Sequence, residues 1–562
     1  MEIRDTEHYE LLNIIDIIDE STIHNNKNKK ETLKKAIKLL VPLFFLFASC
    51  AIVIYYIIFP SKGEFQSDCT DTLYWAQASY DAGKLFNPDF GYAALLPFGG
   101  NLIMQPLISL FGVTMKTHII GMFIFFILFV SSAMILLRAM KWSFFWQSTG
   151  TSILLLTLCM SKKLREIFWG HIIYYSLGVF FLMICLSIVL KLLYLANKNQ
   201  TKKTRIQETI FLLVLFLYCA FCSTNQMTII TLFALPVLGG LFVERILDRT
   251  QNIKSSQNIM AVSICFIMII GVIVGIIFGG YLIGDLQANY AESHTRFTDS
   301  SAWRENAEKL PIAWMNLFGL SVKKYDEIFS LQGIKVIFCI AYSILIFIFP
   351  VILTFLYSKI KEIGVRILIW AHWILTIFIL IGYICGFLST ANWRLSPALC
   401  TSVLLSVAFI KFLWQHISMR RIGILICIPV FVNCILSGVS VATMPYDNYK
   451  NNIAYKLADY LDDNNLYYGY AGFWTAQAVT VVSDSKVKVR SVVFEESNLT
   501  PYYYQSNFKW FDDQPNQKDY FLIMTPQERE LFLNSGVYIA EMNYIELRYL
   551  GYYILVFEEN IF

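Results

Sequence analysis

The sequence predicts a mostly α-helical, polytopic transmembrane bundle of about eleven spans. It adds re-entrant or interfacial helices in a first outer loop and a small α/β extracytoplasmic domain at the C-terminal end. Three observations carry this expectation. The composition is 56% hydrophobic and 15% charged, whereas soluble domains carry about 25% charged residues. A soluble chain so composed could not cover its apolar surface. Apolar runs long enough to cross a bilayer recur between residues 36 and 444. The stretch 445–562 has no such run and is rich in Tyr, Asp and Asn.

Residues 1–35 form a polar tail that ends in "HNNKNKKETLKK". The run Ala36 to Pro60 is too long for a signal-peptide core, so it reads as an uncleaved first span. Further spans are expected to begin near His118, Gln147, Ile172, Thr209, Met227, Met260, Ile334, Val365, Pro397 and Ile422. The third and fifth are short. The sixth holds Pro236 and Gly239-Gly240 and is expected to kink. The cysteines lie inside apolar runs, Cys69 excepted, so no disulfide framework is expected. Cys219 and Cys222 form a CxxC that reads as small packing residues.

Loop charges set the orientation. With the N-terminus cytoplasmic, the inner loops carry Arg138, Lys141, "KNQTKKTR" (198–205), Arg245, Arg249, Lys254, Lys359, Lys361, Lys411, Arg420 and Arg421. The outer segments are then 61–117, 161–171, 285–333 and the C-terminal domain 445–562. One outer loop breaks the pattern: "SKKLREIFWGH" (161–171) carries Lys162, Lys163 and Arg165. In the C-terminal domain, "NYKNNIAYKLADYLDDNN" reads as an amphipathic helix with Ile453, Leu457, Tyr460 and Leu461 on one face. The stretches 486–494 and 519–524 read as strands. "TPQERE" starts a helix with Thr525 as N-cap, Pro526 at N1 and Glu528 closing a capping box.

The chemistry-bearing residues cluster in the outer loops. "SDCTDTLYWAQAS" (67–79) places Asp68, Asp71 and Trp75 on one helical face. Carboxylates there serve as a general base or bind a divalent cation. They equally serve as a helix cap and a dipole partner. Ser67 can itself cap the helix, which frees Asp68 and places it ahead of Asp71 as the base. The following segment 81–112 is interrupted by Gly and Pro and reads as interfacial helices.

With "GKLFNP" (83–88), the Gly-rich patch at 99–100 and "PLISLFG" (106–112), the chain resembles the GT-C glycosyltransferases. These multi-spanning enzymes include protein mannosyltransferases and aminoarabinose lipid A transferases. The resemblance is strongest over residues 61–180. It implies a polyprenyl-phosphate or polyprenyl-diphosphate sugar as donor and an acidic residue of the first outer loop as base. That role falls on Asp68 or Asp71. Many members carry an adjacent Asp-Glu here, whereas this chain has Asp-x-x-Asp.

A sugar leaving a lipid phosphate needs a cationic clamp on the departing group. Lys162, Lys163, Arg165 and Arg394 are the candidates, and an arginine fork suits a phosphate best. Each also fits a snorkelling interface charge. Glu166 and His171 share the 161–171 loop and could complete a polar site or hold a divalent cation, the one cofactor left open. Trp75, Tyr290, His294, Arg296 and Trp303 are the expected sugar or acceptor contacts, although aromatics are equally at home at any bilayer interface. The acceptor is a glycan, a lipid or a protein, and the other partners are membrane lipids, with no nucleic acid. The C-terminal domain lacks GxGxxG and Walker patterns, which argues against a nucleotide-sugar site. A transporter or flippase for lipid-linked sugars would instead concentrate ionisable residues at mid-membrane. A non-enzymatic membrane protein with a binding C-terminal domain leaves the elaborate first outer loop unexplained.

Overall fold

The computed structural model describes residues 26–248, 255–288, 296–320, 327–495, 498–515, 517–534 and 542–562. Among them, ten helices are long and apolar enough to cross a membrane: Leu39–Ile58, Met115–Ala139, Tyr174–Ala196, Lys202–Ser223, Met227–Leu247, Ser256–Ile283, Leu331–Phe355, Ile363–Cys385, Asn392–Gln415 and Arg420–Ala442. The chain is a multi-pass membrane protein. The third expected span is the helix Phe144–Thr157, of 14 residues. At 1.5 Å per residue it covers about 21 Å, less than the hydrocarbon core. Ser148, Thr151, Ser152 and Thr157 on it are all buried, so it faces protein over much of its surface.

The sixth span breaks at Phe233, between the helices Gln226–Leu232 and Ala234–Leu247. Pro236 has no N–H and its ring clashes with the carbonyl four residues back, so the ladder parts just before the proline. Where helices touch closely, small residues allow it. A Cβ on Gly275 would sit 2.3 Å from the Ala220 carbonyl oxygen. That glycine brings Ser256–Ile283 against Lys202–Ser223 backbone to backbone.

A two-stranded ribbon pairs β1 (Phe90–Gly91) with β5 (Ser506–Asn507). The C-terminal sheet runs β4-β3-β2-β6-β8-β7. Its strands are β2 (Tyr468–Gly472), β3 (Lys488–Glu495), β4 (Asn498–Pro501), β6 (Tyr520–Met524), β7 (Ile545–Tyr549) and β8 (Tyr552–Phe557). β2 lies parallel to both β3 and β6, and the outer pairs are antiparallel. The β2–β3 crossover is the helix Phe473–Val482. β6 is buried along its whole length, as a central strand covered on both faces should be.

The capping box forms as expected. The Thr525 N–H donates to Glu528 Oε2 at 2.7 Å, and Thr525 Oγ1 accepts from the Glu528 N–H at 3.3 Å. The helix Ile453–Asp463 buries Ala454, Leu457, Ala458 and Leu461, whereas Ile453 is exposed. Of the expected face, only Ile453 departs. Asn452 fixes the start of this helix: its side chain accepts from the Ala454 N–H and donates to the Lys62 and Phe65 carbonyls.

The sheet domain is tied down on the segment 61–115. Besides the β1–β5 ribbon, Lys509 pairs with Asp89 at 2.6 Å. Ser485 Oγ donates to the Val113 carbonyl at 2.7 Å, and Asp484 accepts from the Met115 N–H at 3.2 Å.

Candidate active site

The site starts where the chain leaves the first span. Ser67–Thr70 forms a 3₁₀ turn, and the helix Asp71–Ala82 follows, ended by Gly83 at φ +60°. Ser67 does not cap this helix. Its hydroxyl reaches the Phe473 and Trp474 carbonyls at 2.7 and 3.0 Å and is committed to the sheet domain. Neither aspartate caps with its side chain either. Thr70 occupies the N-cap position without a side-chain bond.

The two carboxyls therefore sit in different surroundings. Asp68 is half-buried, and Asp71 is buried. Burial pushes the Asp68 carboxyl up; His171 pulls it down, Glu166 adds to the rise, and Lys163 pulls it down. Burial pushes Asp71 well above the usual carboxylate range, and the Asp68 charge adds to the rise. Gln505 of the sheet domain acts against it. Asp71 Oδ1 has no hydrogen-bond partner.

Facing Asp68 is the short helix Lys162–Trp169, capped by Ser161, whose Oγ accepts from the Leu164 N–H at 3.1 Å. Lys163 Nζ lies 2.6 Å from Glu166 Oε1 and 4.5 Å from the centroid of the Trp393 ring. His171 Nε2 stands 3.9 Å from the same Glu166 oxygen. Burial raises the Glu166 carboxyl, but His171 and Lys163 outweigh it and hold the group below its ordinary value. Lys162 points to the exposed side.

Arg165 departs from the expectation of a free clamp. Its Nε and Nη2 donate to Glu64 at 3.0 and 2.5 Å, and Nη1 donates to the Cys159 carbonyl at 3.0 Å. All three nitrogens are engaged and the residue is buried, because a guanidinium at this depth must be paired. Glu64 also accepts from the Tyr56 hydroxyl at 2.7 Å. Trp75 departs as well: it is buried, and its indole N–H donates to Gln505 Oε1 at 2.5 Å.

Arg394 bonds to the Tyr175 hydroxyl through Nη1 and to Ser389 Oγ through Nε, the latter at 3.1 Å. Beside it, a cleft of about 610 Å³ opens between the helix Ser301–Leu317 and the turn at Asn392, with Trp393 and Tyr383 in its wall. Trp303 donates its indole N–H to the Thr298 carbonyl at 3.2 Å, and Arg296 is exposed. Tyr290 and His294 lie outside the described residues.

The structure thus brings together Asp68, Lys163, Glu166 and His171; Arg394 follows Trp393, over whose ring Lys163 lies, and is held by Tyr175 and Ser389. Among the described residues, no three His, Cys, Asp or Glu side chains are grouped so as to hold a metal ion. Glu64, Tyr175 and Gln505 escaped the reading of the sequence.

No family model and no curated protein matches the sequence. Solved structures do match the fold. ArnT from Cupriavidus metallidurans bound to undecaprenyl phosphate superposes over 93% of this chain and 98% of its own, with TM-score 0.50 and 10% identity. Its apo state gives 92%, 97%, 0.50 and 11%. The fold is that of the GT-C glycosyltransferases. The Archaeoglobus fulgidus oligosaccharyltransferase in complex with Zn and sulfate shares the GT-C fold, with 91% of this chain and 72% of that chain covered, TM-score 0.50 and 11% identity. The present chain spans 64% of the length of that oligosaccharyltransferase in its apo form. At these identities the likeness concerns the GT-C fold alone.

Proposed function

We propose that this protein is a membrane glycosyltransferase that moves a sugar from a polyprenyl-phosphate-linked donor to an acceptor hydroxyl or amide on the outer face of the membrane. The observation that carries the reading is the juxtaposition of the Asp68–Asp71 carboxyls with Lys163 and His171 at the sheet end of the bundle; Lys163 lies over the Trp393 ring, and the neighbouring Arg394 is assigned as the second cation. That arrangement supplies the two things the transfer needs. One is a base for the acceptor, and the other is positive charge for the phosphate that leaves. ArnT, of the same fold, has been solved with undecaprenyl phosphate bound, which supports a polyprenyl phosphate as the lipid part of the donor here.

In this reading Asp68 is the base, because it is the more accessible of the pair. Burial, with the Asp68 charge adding to it, favours a neutral Asp71 beside it. Asp68 takes the acceptor proton as the acceptor atom bonds to the anomeric carbon. The bond from that carbon to the phosphate oxygen breaks, and its electron pair stays on the phosphate. Lys163 and Arg394 then face a dianionic monoester, where their attraction is strongest. The N-terminus is placed in the cytoplasm and the sheet domain outside, as the loop charges indicate.

Arg394→Lys keeps the charge and loses the fork. The expected outcome is weaker retention of polyprenyl phosphate by the detergent-solubilised protein and slower turnover, with the melting temperature unchanged. Phosphate binding and turnover equal to the parent in both Arg394→Lys and Arg394→Ala would remove Arg394 from the clamp.

A further inference from the structure

Gln505 of the C-terminal sheet domain stands against Asp71 of the carboxyl pair. It is fully buried and has φ +55°, in the left-handed region. A non-glycine residue there carries strain of about 1–3 kcal/mol and persists only where its surroundings over-determine it. Here they do. Its N–H donates to the Gly91 carbonyl at 2.7 Å, next to the β1–β5 ribbon. Its carbonyl accepts from Gln477 Nε2 at 2.9 Å. Its side-chain Oε1 accepts from the Trp75 indole at 2.5 Å.

Trp75 lies one turn after Asp71 on the same helical face. Among the buried atoms at this boundary without a hydrogen-bond partner are Gln505 Nε2 and Asp71 Oδ1. Buried polar atoms are rarely left so, and each calls for an explanation. Filling space alone would not account for this residue. A methionine would fill the volume without stranding an amide, and a glycine would meet the backbone angle without strain.

We infer that Gln505 is a positioning residue for the carboxyl pair: anchored on Trp75, it presents its amide to Asp71, so the site is complete only with the sheet domain seated on the bundle. The inference rests on the glycosyltransferase reading above. Amide N–H groups favour an ionised carboxyl, so Gln505 works against the burial and the Asp68 charge that raise Asp71. The other titratable groups facing the pair are Cys69, Lys163, Glu166 and His171.

Three full-length variants test it. Gln505→Glu keeps an acceptor for Trp75 but replaces the amide by a negative charge. Gln505→Met keeps the bulk and loses both functions. Trp75→Phe removes only the anchor. Folded yield, kcat, donor KM and the pH profile of kcat are measured for each, with Asp68→Asn alongside. The expected result is a fall in kcat of about tenfold to a hundredfold in the two Gln505 variants, as for a misplaced catalytic group. Donor KM should stay within about twofold, because the lost interaction acts on Asp71, the neighbour of the base, and not on the donor. In Gln505→Glu the acid limb should move to higher pH, since an added negative charge raises the pKa of carboxyls that must be ionised to act. Trp75→Phe should move it in the same direction by less. Parental kcat and pH profile in folded Gln505 variants, with Asp68→Asn inactive, would overturn the inference and leave the glycosyltransferase reading standing. A fall in kcat that only follows folded yield, with the limb unmoved, would also overturn it. If Asp68→Asn itself is fully active, the reading of the base fails first.

Discussion

Asparagine at position 68 is expected to lower turnover by about 10²–10⁴-fold with the protein still folded, the usual value of a general base. Asp→Asn changes one atom, and the Asp68 side chain caps no helix in this structure. A structural role would therefore leave turnover close to the parent. The pH profile carries independent information. Burial raises the Asp68 carboxyl, so the acid limb of kcat should lie above the ordinary aspartate value of about 3.9. The base must be ionised, and a raised pKa keeps it protonated to higher pH.

Asp71→Asn separates the two carboxyls. The folded state favours neutral Asp71 because burial holds its pKa well up. Such a group stabilises the fold below its unfolded pKa and loses that contribution as pH rises through the folded one. Asparagine is neutral throughout. Asp71→Asn should thus melt no lower than the parent, with the gap in its favour widening as pH rises. A collapse of turnover in Asp71→Asn alone, with Asp68→Asn active, would exchange their roles.

The second large effect is expected on stability. Glu64→Ala should cost about 3–5 kcal/mol, because it strands a buried guanidinium. Arg165 would keep only its bond to the Cys159 carbonyl, and Tyr56 would lose the acceptor of its hydroxyl. Replacing Glu64 and Arg165 together by methionine should recover most of the loss, since no charge is then left unpaired. Thermal unfolding in detergent reads both. A Glu64→Ala protein that melts with the parent would show that the pair carries little of the fold, and it would return Arg165 to the candidates for the phosphate.

What the sequence showed and what it hid follow from the range of the interactions. Spans are local runs of apolar residues, and they were legible to within a few positions; Phe144–Thr157 was the doubtful one because it is short. The Thr525–Glu528 capping box is local too, and it forms. The loop 161–171 stood out because its lysines and arginine defied the charge pattern, and it does face Asp68. The pairing of Arg165 with Glu64 is invisible in the sequence because the two lie 101 residues apart. Trp75 read as a free aromatic because Gln505 is 430 residues distant. Ser67 read as a cap for the same reason: its acceptors, Phe473 and Trp474, belong to the sheet domain. On the helix Ile453–Asp463 the expected Leu457 and Leu461 are buried and Tyr460 is half-buried, and only Ile453 departs from the expected face. Its buried face uses Ala454 and Ala458, which weigh little in a hydrophobic pattern, while Ile453 stands in the open.

The most direct test of the central claim is a lipid analysis of vesicles holding the purified protein, a polyprenyl-phosphate sugar and a mixture of candidate acceptors. The account predicts that the sugar–phosphate bond is broken: free polyprenyl phosphate accumulates, the sugar appears on an acceptor, and Asp68→Asn abolishes both. Donor that stays chemically intact while it moves from one leaflet to the other would contradict the account and identify a transporter in its place.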